Sequence, residues 1–148
     1  MRHAKAVPIA HGGSDFERAL LPQGRSAALR SASELAQGDT QGIRLLYSPA
    51  LRTRETALIV GHGLALAPDA MTAEPELYAA DPRTIRRVIQ RHAKATRLLV
   101  VGHNPGISEL GQQLSSALAH RQLATAEFWR LSFDAAEWRA LMRDTAPR

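Results

Sequence analysis

Short apolar runs alternate with longer amphipathic segments along this chain. The runs at 43–48 (IRLLYS) and 97–102 (RLLVVG) are continuous and predict two buried strands. The longer segments predict four helices, over residues 22–37, 48–64, 82–94 and 106–119. Alternation of strands with helices is typical of an α/β domain with a mostly parallel sheet.

Three of the predicted helices start at a capping residue that is followed by proline. Ser48, Asp81 and Asn104 each precede a proline, which is favoured at the first position of a helix. Their short polar side chains can accept hydrogen bonds from the free amides of the first turn. We therefore expect each of the three to cap its helix.

The remaining segments give weaker signals. The alternation in 126–133 (AEFWRLSF) predicts a further strand, whereas the tail from Asp134 fits either a short helix or an extended segment. The longest irregular pieces, 8–21 and 65–80, are candidates for the walls of a site, because binding residues concentrate on loops.

Length and composition place the chain among ordinary globular proteins. Its 148 residues can bury one core, so a single domain over 1–148 is predicted. No apolar run approaches the length of a membrane span, and the first residues lack the apolar core of a signal peptide. Without cysteine the chain has neither disulfides nor a thiolate metal site. We expect a cytoplasmic protein that does not bind membranes.

The basic residues are almost all arginine. The net charge is +5, and 17 of the 19 basic residues are arginine. A coding bias towards alanine and arginine explains this composition, and a preference for anions explains it equally well. A nucleic-acid partner is not expected, because the arginines are scattered, aromatic residues make up 5% and no nucleic-acid-binding motif is present.

Histidine and arginine fall where the predicted strands end. His103 directly follows the second apolar run, and Arg52 lies in the first turn of the helix after the first run. Arg2 and His3 would lie at the end of a first strand. Each residue alone fits an ordinary loop or surface position. Because parallel strands end at one edge of a sheet, the joint pattern predicts a receptor for a dianion, most simply phosphate.

Five segments of the sequence resemble those of one enzyme family. They are RHAKA at 2–6, DFERALLPQG at 15–24, SPALRTRETA at 48–57, ELY at 76–78 and VGHNPGISEL at 101–110. In this order they resemble the histidine phosphatase superfamily, and within it the small phosphohistidine phosphatases of the SixA type. The resemblance implies a three-layer α/β/α fold and phosphoryl transfer through a phosphohistidine on the enzyme, with no metal and no other cofactor.

The resemblance also implies roles for individual residues. His3 is the expected nucleophile, while Arg2, Arg52 and His103 are expected to bind the phosphate and take part in catalysis. Arg18 matches an arginine near the same pocket. These residue types suit the roles, because a neutral imidazole is a nucleophile and arginine binds phosphate oxygens in pairs.

Two further residues extend the candidate site. Asn104 follows His103 in the matching segment and is expected to help bind the phosphate. Glu76 is the candidate general acid near the mouth of the pocket, although a carboxylate beside Pro75 also fits an ordinary loop position. A phosphohistidine substrate has less need of an acid, because imidazole leaves more readily than an alkoxide.

The sequence departs from the family pattern in two places. Ala19 and Leu21 stand where the family usually has proline and a small hydroxyl residue. Before Arg2, where the family has a run of apolar residues, this chain has Met1 alone. We therefore expect a truncated first strand and hypothesise that the natural chain begins upstream. The alternative is that residues 1–6 pair as a short stub in a marginally stable protein.

The leading hypothesis is a phosphatase that acts on phosphohistidine of a partner protein. A phosphatase of small phosphomonoesters, with the same nucleophile, is the first alternative. A catalytically inactive module that binds phosphoproteins is the second. The sequence makes no prediction about the oligomeric state.

Overall fold

The computed structural model describes residues 1–9 and 13–143. Its helices are α1 (Pro22–Ala36), α2 (Leu51–Gly63), α3 (Pro82–Arg91), α4 (Gly106–Leu114) and α5 (Ala135–Met142). Its strands are β1 (Ile43–Tyr47), β2 (Met71–Ala73) and β3 (Arg97–Val101). Short 3-10 turns occupy Asp15–Glu17, Pro68–Ala70, Pro75–Leu77 and Ser116–Leu118. Within the described ranges, no helix has both the length and the apolar character that a membrane crossing requires.

The strands form one parallel sheet in the order β2–β1–β3. Leu45 of the central strand lies opposite Met71 on one side and Leu99 on the other. The predicted parallel arrangement is thus confirmed. Strand β2 falls within 65–80, which the sequence predicts to be irregular, because its three residues are too few to form a recognisable apolar run.

Alternate residues of the strands face opposite layers of helices. Leu45 and Val101 pack into a core with buried residues of α1 and α2. Leu46 and Val100 pack into a second core with buried residues of α3 and α4. Successive side chains of a strand point to opposite faces of a sheet, so two adjacent apolar residues on a strand contact one layer of helices each. The expected three-layer α/β/α fold is therefore confirmed.

The first residues of the chain pair with the end of β3. The amino group of Met1 donates to the carbonyl oxygen of Val100 at 2.8 Å, and the amide of Gly102 donates to Met1 at 3.0 Å. The amide of His3 donates to Gly102 at 3.1 Å, and its carbonyl oxygen accepts from Ala126 at 3.1 Å. The pairing is an isolated parallel bridge between Arg2 and Gly102 and does not extend into a regular strand. It places His3 at the carboxyl edge of the sheet.

Two of the three predicted helix caps are wrong. Helix α2 begins three residues after Ser48, and helix α4 begins two residues after Asn104. The side chain of Ser48 binds His103 instead, and that of Asn104 binds Leu123 and Ser108. Asp81 does cap α3, since its carboxylate accepts from the amide of Thr84 at 2.8 Å.

The segment 126–133 does not form the strand that its alternation predicts. Ala126 has a φ of 64°, which turns the chain out of extended geometry. The carbonyl oxygen of Glu127 accepts from the amide of Arg2 at 3.0 Å, but no regular ladder of the described residues continues from this bond. The tail forms α5, with Asp134 as its cap, so the helical alternative is the right one.

Helix α1 lies so close to the start of the chain that position 24 has no room for a side chain. A Cβ on Gly24 would overlap the carbonyl oxygen of Lys5. We expect Gly24→Ala to lower the free energy of unfolding by about 1–3 kcal/mol, the usual cost of overpacking. This would occur although alanine favours helices more than glycine does. Urea unfolding measures the change.

Gln23→Ala is the matched control, because Gln23 is the exposed neighbour in the same turn. Its unfolding free energy should change by less than about 0.5 kcal/mol. A Gly24→Ala protein as stable as the parent would contradict the close approach of α1 to Lys5.

Candidate active site

An open pocket of about 450 Å³ lies at the carboxyl edge of the sheet. The described residues that line it are Arg2, His3, Lys5, Ala6, Arg18, Arg52, Ala79, His103, Asn104 and Thr125. Every site residue predicted from the sequence is among them, with the exception of Glu76. No carboxylate is part of this lining, which makes the pocket strongly cationic.

Backbone contacts and one ring hydrogen bond orient His3. Its Nδ1 lies 2.8 Å from the carbonyl oxygen of Ala4, so Nδ1 carries the proton and donates it. Nε2 is then unprotonated and accepts from Nε of Arg52 at 3.3 Å. The hydroxyl of Thr56 accepts from the amide of Ala4 at 3.0 Å and donates to the carbonyl oxygen of Arg52 at 2.7 Å. One buried hydroxyl therefore fixes the backbones of both site segments.

His103 is buried next to His3, with the two ring centroids 5.3 Å apart. Its Nε2 lies 2.7 Å from the hydroxyl oxygen of Ser48, and its Nδ1 lies 3.3 Å from Nη2 of Arg52. Ser48 is completely buried at the end of β1. Its hydroxyl thus orients the imidazole of His103, which explains why it does not cap α2.

The guanidinium of Arg52 is buried and uses two separate edges. The edge formed by Nε and Nη2 faces His3 and His103. The edge formed by Nη1 and Nη2 binds Asp15, with Nη1 donating to the backbone carbonyl at 2.7 Å and Nη2 donating to the carboxylate at 3.0 Å. Arg54, two residues further along α2, is exposed.

Asp15 is a residue of the site that the sequence analysis misses. Its carboxylate accepts from the hydroxyl of Tyr78 at 2.8 Å and from Nε of Arg18 at 2.9 Å, in addition to Arg52. The hydrogen bond from Tyr78, followed by those two arginines, lowers the pKa of Asp15 to about 2. The carboxylate is therefore ionised at neutral pH. The available signal in the sequence is the spacing of Asp15 and Arg18, which is that of an i,i+3 pair.

Both histidines of the pocket are neutral at physiological pH. Burial, together with the charges of Arg52, Arg2 and Arg18, lowers the pKa of His3 to about 4, against an opposing backbone hydrogen bond. Burial and then Arg52 lower the pKa of His103 to about 3. The pocket thus combines three arginines with a neutral imidazole whose unprotonated Nε2 accepts from Nε of Arg52. This arrangement is suited to binding an anion beside a nucleophile.

Arg2 and Asn104 share one backbone acceptor. Nη1 of Arg2 and the amide nitrogen of Asn104 donate to the carbonyl oxygen of Leu123, at 3.1 and 2.9 Å. The amide oxygen of Asn104 accepts from the hydroxyl of Ser108 at 2.6 Å, so both ends of this side chain bind protein groups. Nε of Arg2 is buried and has no hydrogen-bond partner among the described residues.

Glu76 is the predicted site residue that does not join the others. Its carboxylate accepts from Nη1 of Arg91 at 2.7 Å, and its side chain is 49% exposed. Its proposed role as an acid stays a prediction. Tyr78, two residues further on, does reach the site: its hydroxyl binds Asp15, and its ring centroid lies 5.5 Å from that of His103.

One curated relative covers most of this chain. The uncharacterised protein Rv1276c of Mycobacterium tuberculosis is 36% identical over 117 residues, which are 78% of this chain and 70% of that protein. No protein-family model matches the sequence.

Solved structures share the fold. The SixA protein of Agrobacterium tumefaciens superposes with a TM-score of 0.72 at 26% identity, covering 80% of this chain and 77% of that one. The protein histidine phosphatase SixA complexed with tungstate gives 0.71 at 28% identity, covering 84% and 80%. The mycobacterial glucosyl-3-phosphoglycerate phosphatase Rv2419c shares the fold at 0.58 and 15% identity, covering 76% of each chain. The chain therefore belongs to the histidine phosphatase superfamily and is SixA-like.

Proposed function

We propose that this protein removes the phosphoryl group from a phosphohistidine side chain of a partner protein. His3 accepts the phosphoryl group, and water then releases it as inorganic phosphate. The SixA-like fold supports a phosphatase. The substrate class and the role of each residue are our proposal.

The unprotonated Nε2 of His3 is the observation that carries the proposal. It faces the guanidinium of Arg52 at 3.3 Å, in a pocket that Arg2 and Arg18 also line. Arginines neutralise the charge of a phosphoryl dianion, which would otherwise repel a nucleophile, and they stabilise the charge on its oxygens during transfer. Nε2 is thus poised beside the place where these arginines would hold phosphorus.

The proposed reaction has two balanced steps. The lone pair of Nε2 forms a bond to phosphorus while the bond from phosphorus to the substrate nitrogen breaks, and the electron pair returns to the departing imidazole. A water molecule then attacks phosphorus on His3, yields inorganic phosphate and returns the lone pair to Nε2. Nδ1 of His103 faces Nη2 of Arg52, which can only donate, so Nε2 of that ring carries the proton and donates it to the Ser48 hydroxyl.

The carboxylates near the pocket favour a substrate with a good leaving group. Asp15 is ionised, and Glu76 binds Arg91, so neither carboxyl group is placed as a proton donor to a departing alkoxide. An imidazole whose second nitrogen carries a proton leaves as a neutral molecule and needs no such donor. The openness of the pocket also suits a side chain presented on a folded partner.

Phosphorylation of His3 is the first expected result. After brief incubation with a phosphohistidine peptide and quenching, acid-labile phosphate should be found on His3. His3→Ala should fold normally and lose turnover by roughly a hundredfold or more, because the covalent route is removed. Arg54→Gln is the control and should retain activity, since Arg54 is exposed. Full activity of His3→Ala would contradict the mechanism.

The choice of substrate is tested by comparing rates with phosphoramidate, a phosphohistidine peptide and an aryl phosphate. We expect the substrates with phosphorus–nitrogen bonds to be preferred, and Glu76→Gln to keep their turnover, because Glu76 binds Arg91 and is not part of the described pocket lining. EDTA should leave these rates unchanged if the mechanism uses no metal. If the aryl phosphate is instead the preferred substrate and Glu76→Gln abolishes its turnover, the result favours a phosphomonoesterase. Binding of phosphate without turnover of any substrate would favour an inactive binding module.

The protonation of His3 gives a third test. Its Cε1 proton signal in NMR, identified by its disappearance in His3→Ala, should titrate near pH 4 because burial and the arginines disfavour the imidazolium. Arg52→Gln removes one of these charges and should raise the pKa. A midpoint near the ordinary value of about 6.5 would contradict the buried, cationic setting.

The lowered pKa of His3 also determines in which direction the free energy of unfolding changes with pH. The unfolded chain binds a proton at His3 near pH 6.5, whereas the folded chain does so near pH 4. Between these values the unfolded state binds more protons, so the free energy of unfolding should fall as the pH falls from about 6.5 towards 4. Urea unfolding at several pH values, compared with His3→Ala, measures this effect.

A further inference from the structure

The two edges of Arg52 can serve two different anions at once. A guanidinium presents paired N–H donors along each edge, and each pair fits two oxygen atoms. Asp15 occupies the edge of Nη1 and Nη2 through its backbone oxygen and its carboxylate. The edge of Nε and Nη2 donates to His3 and His103, and Arg52 lines the open pocket together with both histidines. A phosphoryl group at this second edge would not displace Asp15.

Asp15 is itself held on several sides. Ser14 caps the short turn Asp15–Glu17 by accepting from the amide of Phe16 at 3.2 Å. One carboxylate oxygen of Asp15 accepts from Arg18, and the other accepts from both Tyr78 and Arg52. Such a fixed acceptor restricts the rotation of the guanidinium that it binds. Rotation would move the donors of Arg52 away from the direction of His3.

We propose that Asp15 is a positioning residue for the dephosphorylation. Asp15 holds Arg52 so that the Nε–Nη2 edge of the guanidinium points at the phosphoryl group during its transfer to His3. This inference rests on the proposed function. Asp15 also has a second, opposite effect, because its negative charge lies behind Arg52 and repels a phosphate dianion bound in the adjoining pocket. Its removal should therefore weaken catalysis without weakening the binding of phosphate.

Asp15→Asn separates these effects, because asparagine keeps the size of the side chain but loses the charge and one acceptor oxygen. We expect kcat to fall about tenfold to a hundredfold, the scale of a small misplacement of a catalytic group. KM and the inhibition constant of inorganic phosphate should stay the same or fall. Orthovanadate, which imitates the transition state, should bind more weakly by about the same factor as kcat falls. Tyr78→Phe, which removes one support of Asp15, should show a smaller change of the same kind.

Glu17→Gln is the matched control, because Glu17 is the exposed acid of the same turn. It should keep kcat and both inhibition constants within about twofold, as expected for a surface substitution. Three results would overturn the proposal for Asp15→Asn: an unchanged kcat, a raised kcat/KM with tighter phosphate binding, or a parallel loss of kcat and phosphate affinity.

Failure of the proposed function gives a different result. In that case the parent protein turns over no substrate with a phosphorus–nitrogen bond. The role of Asp15 is then measured by calorimetry, with phosphate and orthovanadate as the probes. Weaker vanadate binding with unchanged phosphate binding in Asp15→Asn still supports positioning, and equal effects on the two anions refute it.

Discussion

The burial of the guanidinium of Arg52 is the constraint on which the site depends. A buried cation is unfavourable unless it is paired and hydrogen-bonded, and Asp15 provides both the charge and two acceptors. The pairing joins the first turn of α2 to the loop before α1, which must then lie over the carboxyl edge of the sheet. His3 and His103 approach the same guanidinium from the first residues of the chain and from the end of β3. One side chain thus connects four segments that are distant in sequence.

The electrostatic balance of the pocket depends on what it contains. Without an anion, the arginines and burial disfavour any further positive charge, and both histidines are neutral. A bound dianion would reverse the sign of the local field and favour protonation of the same rings. The low pKa of His3 in the free protein is therefore a property that keeps the lone pair available before substrate arrives. A stronger base at this position would spend part of its time protonated and unable to attack.

The sequence predicts those parts of the site that follow directly from local patterns. His103 follows an apolar strand, and Arg52 lies in the first turn after another, so a parallel sheet must bring them to one edge. Ser48 is misread because a serine before proline looks the same whether it caps a helix or binds a distant imidazole. The contact of Asp15 with Arg52 joins residues 37 positions apart, and no local pattern encodes it. The strand predicted at 126–133 fails for a similar reason, since pairing depends on a partner elsewhere in the chain.

The carbonyl oxygen of Leu123 holds Arg2 and Asn104 together at the rim of the pocket. Every amino acid has this oxygen, so the role belongs to the path of the backbone and not to leucine. Substitutions at position 123 can therefore change the side chain in the core below and still leave both hydrogen bonds in place. A search for active-site residues by their identity would overlook the position. An insertion or deletion in the loop after α4 would move this oxygen and disturb Arg2 and Asn104 at once. It would do so although the identities of both residues stay the same.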